Sequence, residues 1–184
     1  TLLEFFQSAQ FHDGIMQGRA LAVCFGEWLL STHTHLGALP KLEKCIAERR
    51  RRIRHGCRPD SAWGLAETID AFLAPKDTLT YYETMRARLP RAPGELAALL
   101  LKGPIGVLEE PNWDTHQQEG IIVDLAPGKG VGTATVELVQ FLESIRSGAT
   151  HQETIERLCG LGAEPDEAFG LLESFRSDGL IVQY

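Results

Sequence analysis

The 184-residue chain has no apolar run approaching the ~20 residues needed to cross a bilayer. Its first residues, TLLEFFQSAQFHDG, lack the basic region and cleavage site of a secretory signal, so a cytoplasmic protein is expected. Cys24, Cys45, Cys57 and Cys159 lie far apart, with no Cys-x-x-Cys pair. That spacing disfavours both a disulfide framework and a structural zinc site. Cys24 and Cys45 fall among apolar helical positions and read as buried thiols. There is no Gly-x-Ser-x-Gly elbow, no His-Glu-x-x-His and no internal repeat. Nothing here gives a positive reason to propose an enzyme.

Positive charge is scarce in one part only. Residues 1–103 hold 14 Lys and Arg against 11 Asp and Glu, whereas residues 104–184 hold 4 against 14. A polyanion therefore meets repulsion over the second part.

What is present begins with helical periodicity. Leu21, Cys24, Phe25, Trp28 and Leu29 recur at spacings of three and four, which predicts a helix over 18–30. Leu39, Leu42, Ile46 and Ile53 predict a second over 39–54, ending in a basic run with Gly56 as its stop. SAWGLAETIDAFL reads as a short helix capped by Ser61 and closed by Pro75. Residues 78–89 read as another, and Pro93 opens a further one before GELAALLLKG.

After Gly103-Pro104 the pattern changes. Residues 105–110 and 120–125 are rich in β-formers and read as an antiparallel pair with a long loop between them. Pro127, Gly128, Gly130 and Gly132 read as a loop, and a helix is expected over 133–146. Thr150 with Glu153 is a capping-box signature for the next. Pro165-Asp-Glu opens a third, which turns at Asp178-Gly179 into a strand, LIVQY. This is the winged-helix order.

Other constellations weaken on inspection. His33 and His35 flank a loop residue without a third ligand, and His12-Asp13 are adjacent positions that rarely converge. APGKGVGTAT has its lysine in the wrong place for a phosphate loop. The run Arg49, Arg50, Arg51, Arg52, Arg54 and Arg58 reads first as a solvated helix end, and second as a clamp for carboxylates of a partner or peptide. DNA reading by the third helix is disfavoured, because it carries Arg176 against Asp166, Glu167, Glu173 and Asp178. A winged-helix transcriptional regulator using the arginine run on DNA is the alternative. A sheet edge along 120–125 is expected to accept an extended peptide, through Ile121, Val123 and Leu125. Phe169, Leu172 and Glu173 are the candidates for a groove beside it.

The order strand, strand, three helices ending LLESFRSDGLIV resembles the leader-peptide recognition modules of ribosomally made, modified-peptide pathways. The helical part, through LGALPKLEKCIAERRRR at 36–52, resembles the partner subunits of multinuclear non-haem iron peptide oxidases of the methanobactin and 3-thiaglutamate type. The chain departs from the simple recognition module in its long 111–119 loop and its final strand. The resemblance implies a non-catalytic subunit in a heterodimer, with no cofactor of its own. It implies that the iron sits in the partner, an oxidase that modifies a cysteine of a precursor peptide held by this chain. The expected fold is mainly α with a small β-sheet (α+β). It comprises an N-terminal helical domain over 1–103 and a C-terminal winged-helix-like peptide-recognition domain over 104–184.

Overall fold

A computed structural model describes residues 2–33, 38–55, 63–90, 92, 94–95, 113 and 116–183, with the backbone alone at 51–55. Helices α1 (Leu2–Phe6) and α2 (Ala9–Met16) are joined at Ser8, whose hydroxyl accepts from Phe11 N–H and donates to the Phe5 carbonyl. That turn folds Phe5 onto Phe11, Phe25 and Trp28, at 5.4, 5.0 and 5.8 Å between ring centres. These rings, with Cys24, make a small aromatic core against α3 (Leu21–Thr32). Gly26 lets α3 lie close on α4 (Leu39–His55), since a methyl there would stand 2.9 Å from Lys44.

The stretch expected to be one helix before Pro75 is instead two strands, β1 (Trp63–Leu65) and β2 (Ile69–Pro75). The reason is burial on both faces. Ile69 and Ala71 pack one way and Phe72 and Ala74 the other, so the strand shows an almost unbroken apolar run in place of alternation. Helix α5 (Thr78–Arg88) follows as expected.

Strand β3 (Gln118–Asp124) pairs antiparallel with β2 along its whole length, from Ile69 opposite Asp124 to Pro75 opposite Gln118. A fourth strand, β4 (Val131–Ala134), pairs with the other side of β3. It replaces the expected loop and first helical turn: the glycines leave only Val131 and Thr133 to signal a strand. The sheet order is β2-β3-β4, and a separate two-stranded ribbon joins β1 to β5 (Ile181–Gln183). Helices α6 (Val136–Ser144), α7 (His151–Gly160) and α8 (Pro165–Ser177) stand as expected, and the capping box at Thr150–Glu153 is formed. The chain is thus mixed α and β, with a small antiparallel sheet.

Both cores cross the expected boundary at 103/104. On one face of the sheet, Leu42 and Ile46 of α4 and Leu79 of α5 meet Phe72, Ile121 and Val123. On the other, Ile69 and Ala71 join Val139, Phe141, Leu142 and Leu172. Splitting the chain there would separate β2 from β3 and expose Ile121 and Val123, each fully buried and worth about 1.5–3 kcal/mol in burial. The sheet is shared by both halves. The strand expected at 105–110, most of the helix after Pro93, and Cys57 lie outside the described residues.

Candidate functional site

The sheet has two margins, and the chain treats them differently. Leu125 N–H donates to the Thr68 carbonyl, which fixes the alternation along β2: Thr68, Asp70 and Phe72 turn toward β3, Ala71 and Leu73 away. The outward carbonyls are covered by cations. Arg146 donates to Ala71 O at 2.6 Å and Lys41 approaches Leu73 O at 3.5 Å. Arg146 also pairs with the Asp70 carboxylate, which takes Arg49 Nε at 3.1 Å on its other oxygen. Lysine and arginine over an edge are a standard block to further strand pairing.

The β4 margin has no such cover among the described residues. Asp124 N–H donates to Gly130 O at 2.8 Å, so Gly130, Gly132 and Ala134 turn toward β3. Val131 and Thr133 therefore present their N–H and C=O groups outward, and Thr133 is exposed. Where β4 ends, Thr135 caps α6 by accepting from Leu138 N–H at 3.2 Å.

Thr135 also opens an apolar groove of about 280 Å³ between the three C-terminal helices. Phe141 forms part of its floor, with its ring centre 5.5 Å from that of Phe175. Leu138, Leu161, Leu171 and Phe175 contribute to its walls. On α8 the lining positions are Glu167, Leu171 and Phe175, spaced four apart and so on one helix face. A second cleft, about 400 Å³, lies between α3 and α4, lined by Phe25, Leu29, Leu39 and Ile46 together with Glu43 and Arg50. Its described lining residues include none from a strand.

The structure redistributes the residues singled out from sequence. Ile121 and Val123 are fully buried on the middle strand, whose two sides are taken by β2 and β4. Leu125 is partly buried against the same core, with its N–H used by Thr68. The expectation of an open margin along 120–125 is therefore corrected: the guest position is filled from within the chain. Leu172 is fully buried core. Phe169 is half exposed and lies on a different face of α8 from the groove, against His151 at 5.7 Å, which in turn meets Trp63 at 5.6 Å. Glu173 is exposed and pairs with Arg176.

Arg49 departs from the expected solvated run, being only 3% exposed and held by Asp70. Arg50 is exposed, and the side chains of Arg51, Arg52 and Arg54, with Arg58, lie outside the described residues. Cys24 is buried, as expected for its helical stripe, and Cys45 is partly so. Burial, then the Asp70 carboxylate, push the Cys45 thiol up to about 12. His12 and Asp13 are both exposed on α2, and His33 rests on Trp28. Gly128 and Lys129 form the β3–β4 turn, with Gly128 at φ +81°.

Sequence reasoning missed both this groove between the C-terminal helices and the β4 margin. The signal was available only as Glu167-x-x-x-Leu171-x-x-x-Phe175, which shares a helix with the core positions Ala168 and Leu172. Among the described residues no group of three or more His, Cys, Asp or Glu is placed to hold a metal ion, and no helix is long and apolar enough to cross a membrane. Compared with known proteins, the chain matches no family model, no curated protein and no solved structure.

Proposed function

We propose that this chain is a non-catalytic peptide-recognition subunit. It lays an extended segment of a ribosomally made precursor along β4, and presents the precursor's cysteine to a partner enzyme that carries the iron and does the oxidation. In this reading the stretch from β3 to β5 is a winged-helix-like recognition module whose sheet borrows β2 from the helical half. One observation carries the reading: a strand margin at Val131 and Thr133, with no partner among the described residues, leads into Thr135, which lines an apolar groove. Main-chain pairing along such a margin supplies affinity, and pockets for alternate side chains supply selectivity. The acidity of residues 104–184 speaks against a nucleic-acid guest at this site.

The test uses the full chain and a labelled synthetic cysteine-containing precursor peptide in fluorescence anisotropy. Proline is tolerated on an edge strand whose N–H faces outward, so Thr133→Pro removes one donor from the margin while leaving the β3–β4 ladder intact. Binding is expected to weaken at least about tenfold, the worth of roughly one or two backbone hydrogen bonds. Unchanged binding in a folded Thr133→Pro variant would sink the strand-pairing reading. Stoichiometric iron in the chain purified without a partner would overturn the division of labour.

A further inference from the structure

The groove also indicates the chemistry of its guest. Two carboxylates, Glu137 in the first turn of α6 and Glu167 in the first turn of α8, line it beside Leu138, Leu171 and Phe175. Each sits where a helix's positive end favours an anion, and that alone would account for a carboxylate at either position. What it does not account for is the lack, among the described residues lining the groove, of any cation between them. Of the four basic residues in 104–184, Arg146 is held by Asp70 and Ala71, Arg157 donates to the Ser144 carbonyl, and Arg176 pairs with Glu173. The fourth, Lys129, sits on the β3–β4 turn, at the opposite end of β4 from Thr135. Among the described residues neither Glu137 nor Glu167 has an ion-pair partner.

We infer that the groove selects a cationic–apolar peptide: an extended segment whose apolar side chain enters between Leu138, Leu171 and Phe175 while a Lys or Arg meets Glu137 or Glu167. This rests on the reading of the chain as a peptide binder and specifies the guest. On an extended guest, residues two apart share a face, so the basic residue stands two positions from the apolar one. The carboxylates act as a filter as well as a clamp, because an acidic guest segment would place like charges together at the groove wall.

The experiment compares two fluorescein-labelled decapeptides with blocked ends, in which every second residue is alternately Leu and Lys, or Leu and Glu, and serine fills the positions between, so that Leu and the charged residue share a face. A third peptide is the Leu/Lys sequence with N-methylated backbone. The full chain is titrated at low and at physiological salt. The Leu/Lys peptide is expected to bind roughly fivefold or more tightly than the Leu/Glu peptide, the worth of one or two exposed ion pairs. The preference is expected to reverse in the double variant Glu137→Lys/Glu167→Lys. A control double variant of equal charge change, Glu156→Lys/Glu173→Lys, lies away from the groove and is expected to keep it.

Equal binding of the Leu/Lys and Leu/Glu peptides, with N-methylation still abolishing binding of the Leu/Lys sequence, overturns the cationic guest and leaves strand pairing standing. An equal shift in the control variant overturns it too, by assigning the preference to net charge. Loss of binding by every peptide overturns the peptide-binding reading itself.

Discussion

Arg146, just past the end of α6, reaches around the margin of β2 and pairs with the carboxylate of Asp70, whose other oxygen takes Arg49 from α4. A single buried carboxylate, 2% exposed, thus ties a helix of the first half to a helix of the second through the strand between them. The same guanidinium donates to Ala71 O and so covers the margin that β2 would otherwise offer. One contact joins the two halves and covers the β2 margin, whereas among the described residues nothing covers that of β4.

The two ends of this bridge are expected to differ sharply on truncation. Asp70→Ala takes from Arg49, itself only 3% exposed, its buried carboxylate partner, and should cost about 3–5 kcal/mol. Arg146 is well exposed, so Arg146→Ala should cost about 1 kcal/mol, through its pair and one hydrogen bond. Urea unfolding of both variants checks the order. A smaller loss for Asp70→Ala than for Arg146→Ala would show that Asp70 does not hold the halves together.

Gly120 is where the sheet meets α6 most closely. A methyl there would lie 2.6 Å from Val139 Cγ2 and 2.8 Å from the carbonyl oxygens of both Ala134 and Thr135. Side chains can give way; the two oxygens belong to the junction between β4 and α6, where Thr135 lines the groove. Gly120→Ala should therefore destabilise by about 1–3 kcal/mol, and adding Val139→Ala should fail to restore it. Full recovery in the double variant would place the conflict in the side chain alone.

Helices were legible where one face alone is buried. α3 and α4 carry their apolar residues at helical spacing, and α7 announces itself through Thr150 and Glu153. β2 was misread because Ile69–Pro75 is buried on both faces, which erases the alternation a strand normally shows. β4 was hidden by its glycine neighbours. Sheet order was illegible for a deeper reason: β3 takes its partner from across 42 or more intervening residues, and no local pattern encodes that choice. The site suffered accordingly. Taking β3 as a margin led to Ile121 and Val123, whereas the margin left uncovered among the described residues is Val131 and Thr133. Arg49 looked like the exposed Arg50 beside it in sequence, and the position of Asp70 turns it inward.

Cys45 offers a chemical probe of the α4–sheet contact. Its thiol is raised to about 12, chiefly by burial and next by the Asp70 carboxylate, so it stays protonated at neutral pH and is a poor nucleophile. Labelling by iodoacetamide at pH 8 should be slow at Cys45 in the native chain and fast in urea, as read by peptide mass spectrometry. Because the folded value lies above the ordinary one, the thiol's contribution to stability is full below about pH 8.5 and is lost as pH rises toward 12. Asp70→Asn should speed the labelling by removing one of the causes. Rapid native labelling at pH 8 would mean that the contact opens readily.

The capping box at α7 ties stability to acid pH. Thr150 Oγ accepts from Glu153 N–H, while the Glu153 carboxylate accepts from Thr150 N–H at 2.7 Å and its hydroxyl at 2.9 Å. Those two bonds, backbone first, hold the Glu153 carboxyl below its ordinary range. A lowered folded value means the contribution is present above the unfolded carboxyl's pKa, about 4.3, and disappears as pH falls through the folded value. Thr150→Ala should cost about 1 kcal/mol at pH 7 and less at pH 2, where the wild type has already lost the charged half of the box. Glu153→Gln keeps the box geometry without the charge, so its stability should change less over the same acid interval. α7 carries Ile155 and Leu158 into the core, and Leu161, just beyond its end, lines the groove. Urea midpoints at pH 7 and pH 2 decide the matter. A Thr150→Ala loss of the same size at both would show that the Glu153 charge contributes nothing to holding α7 in place.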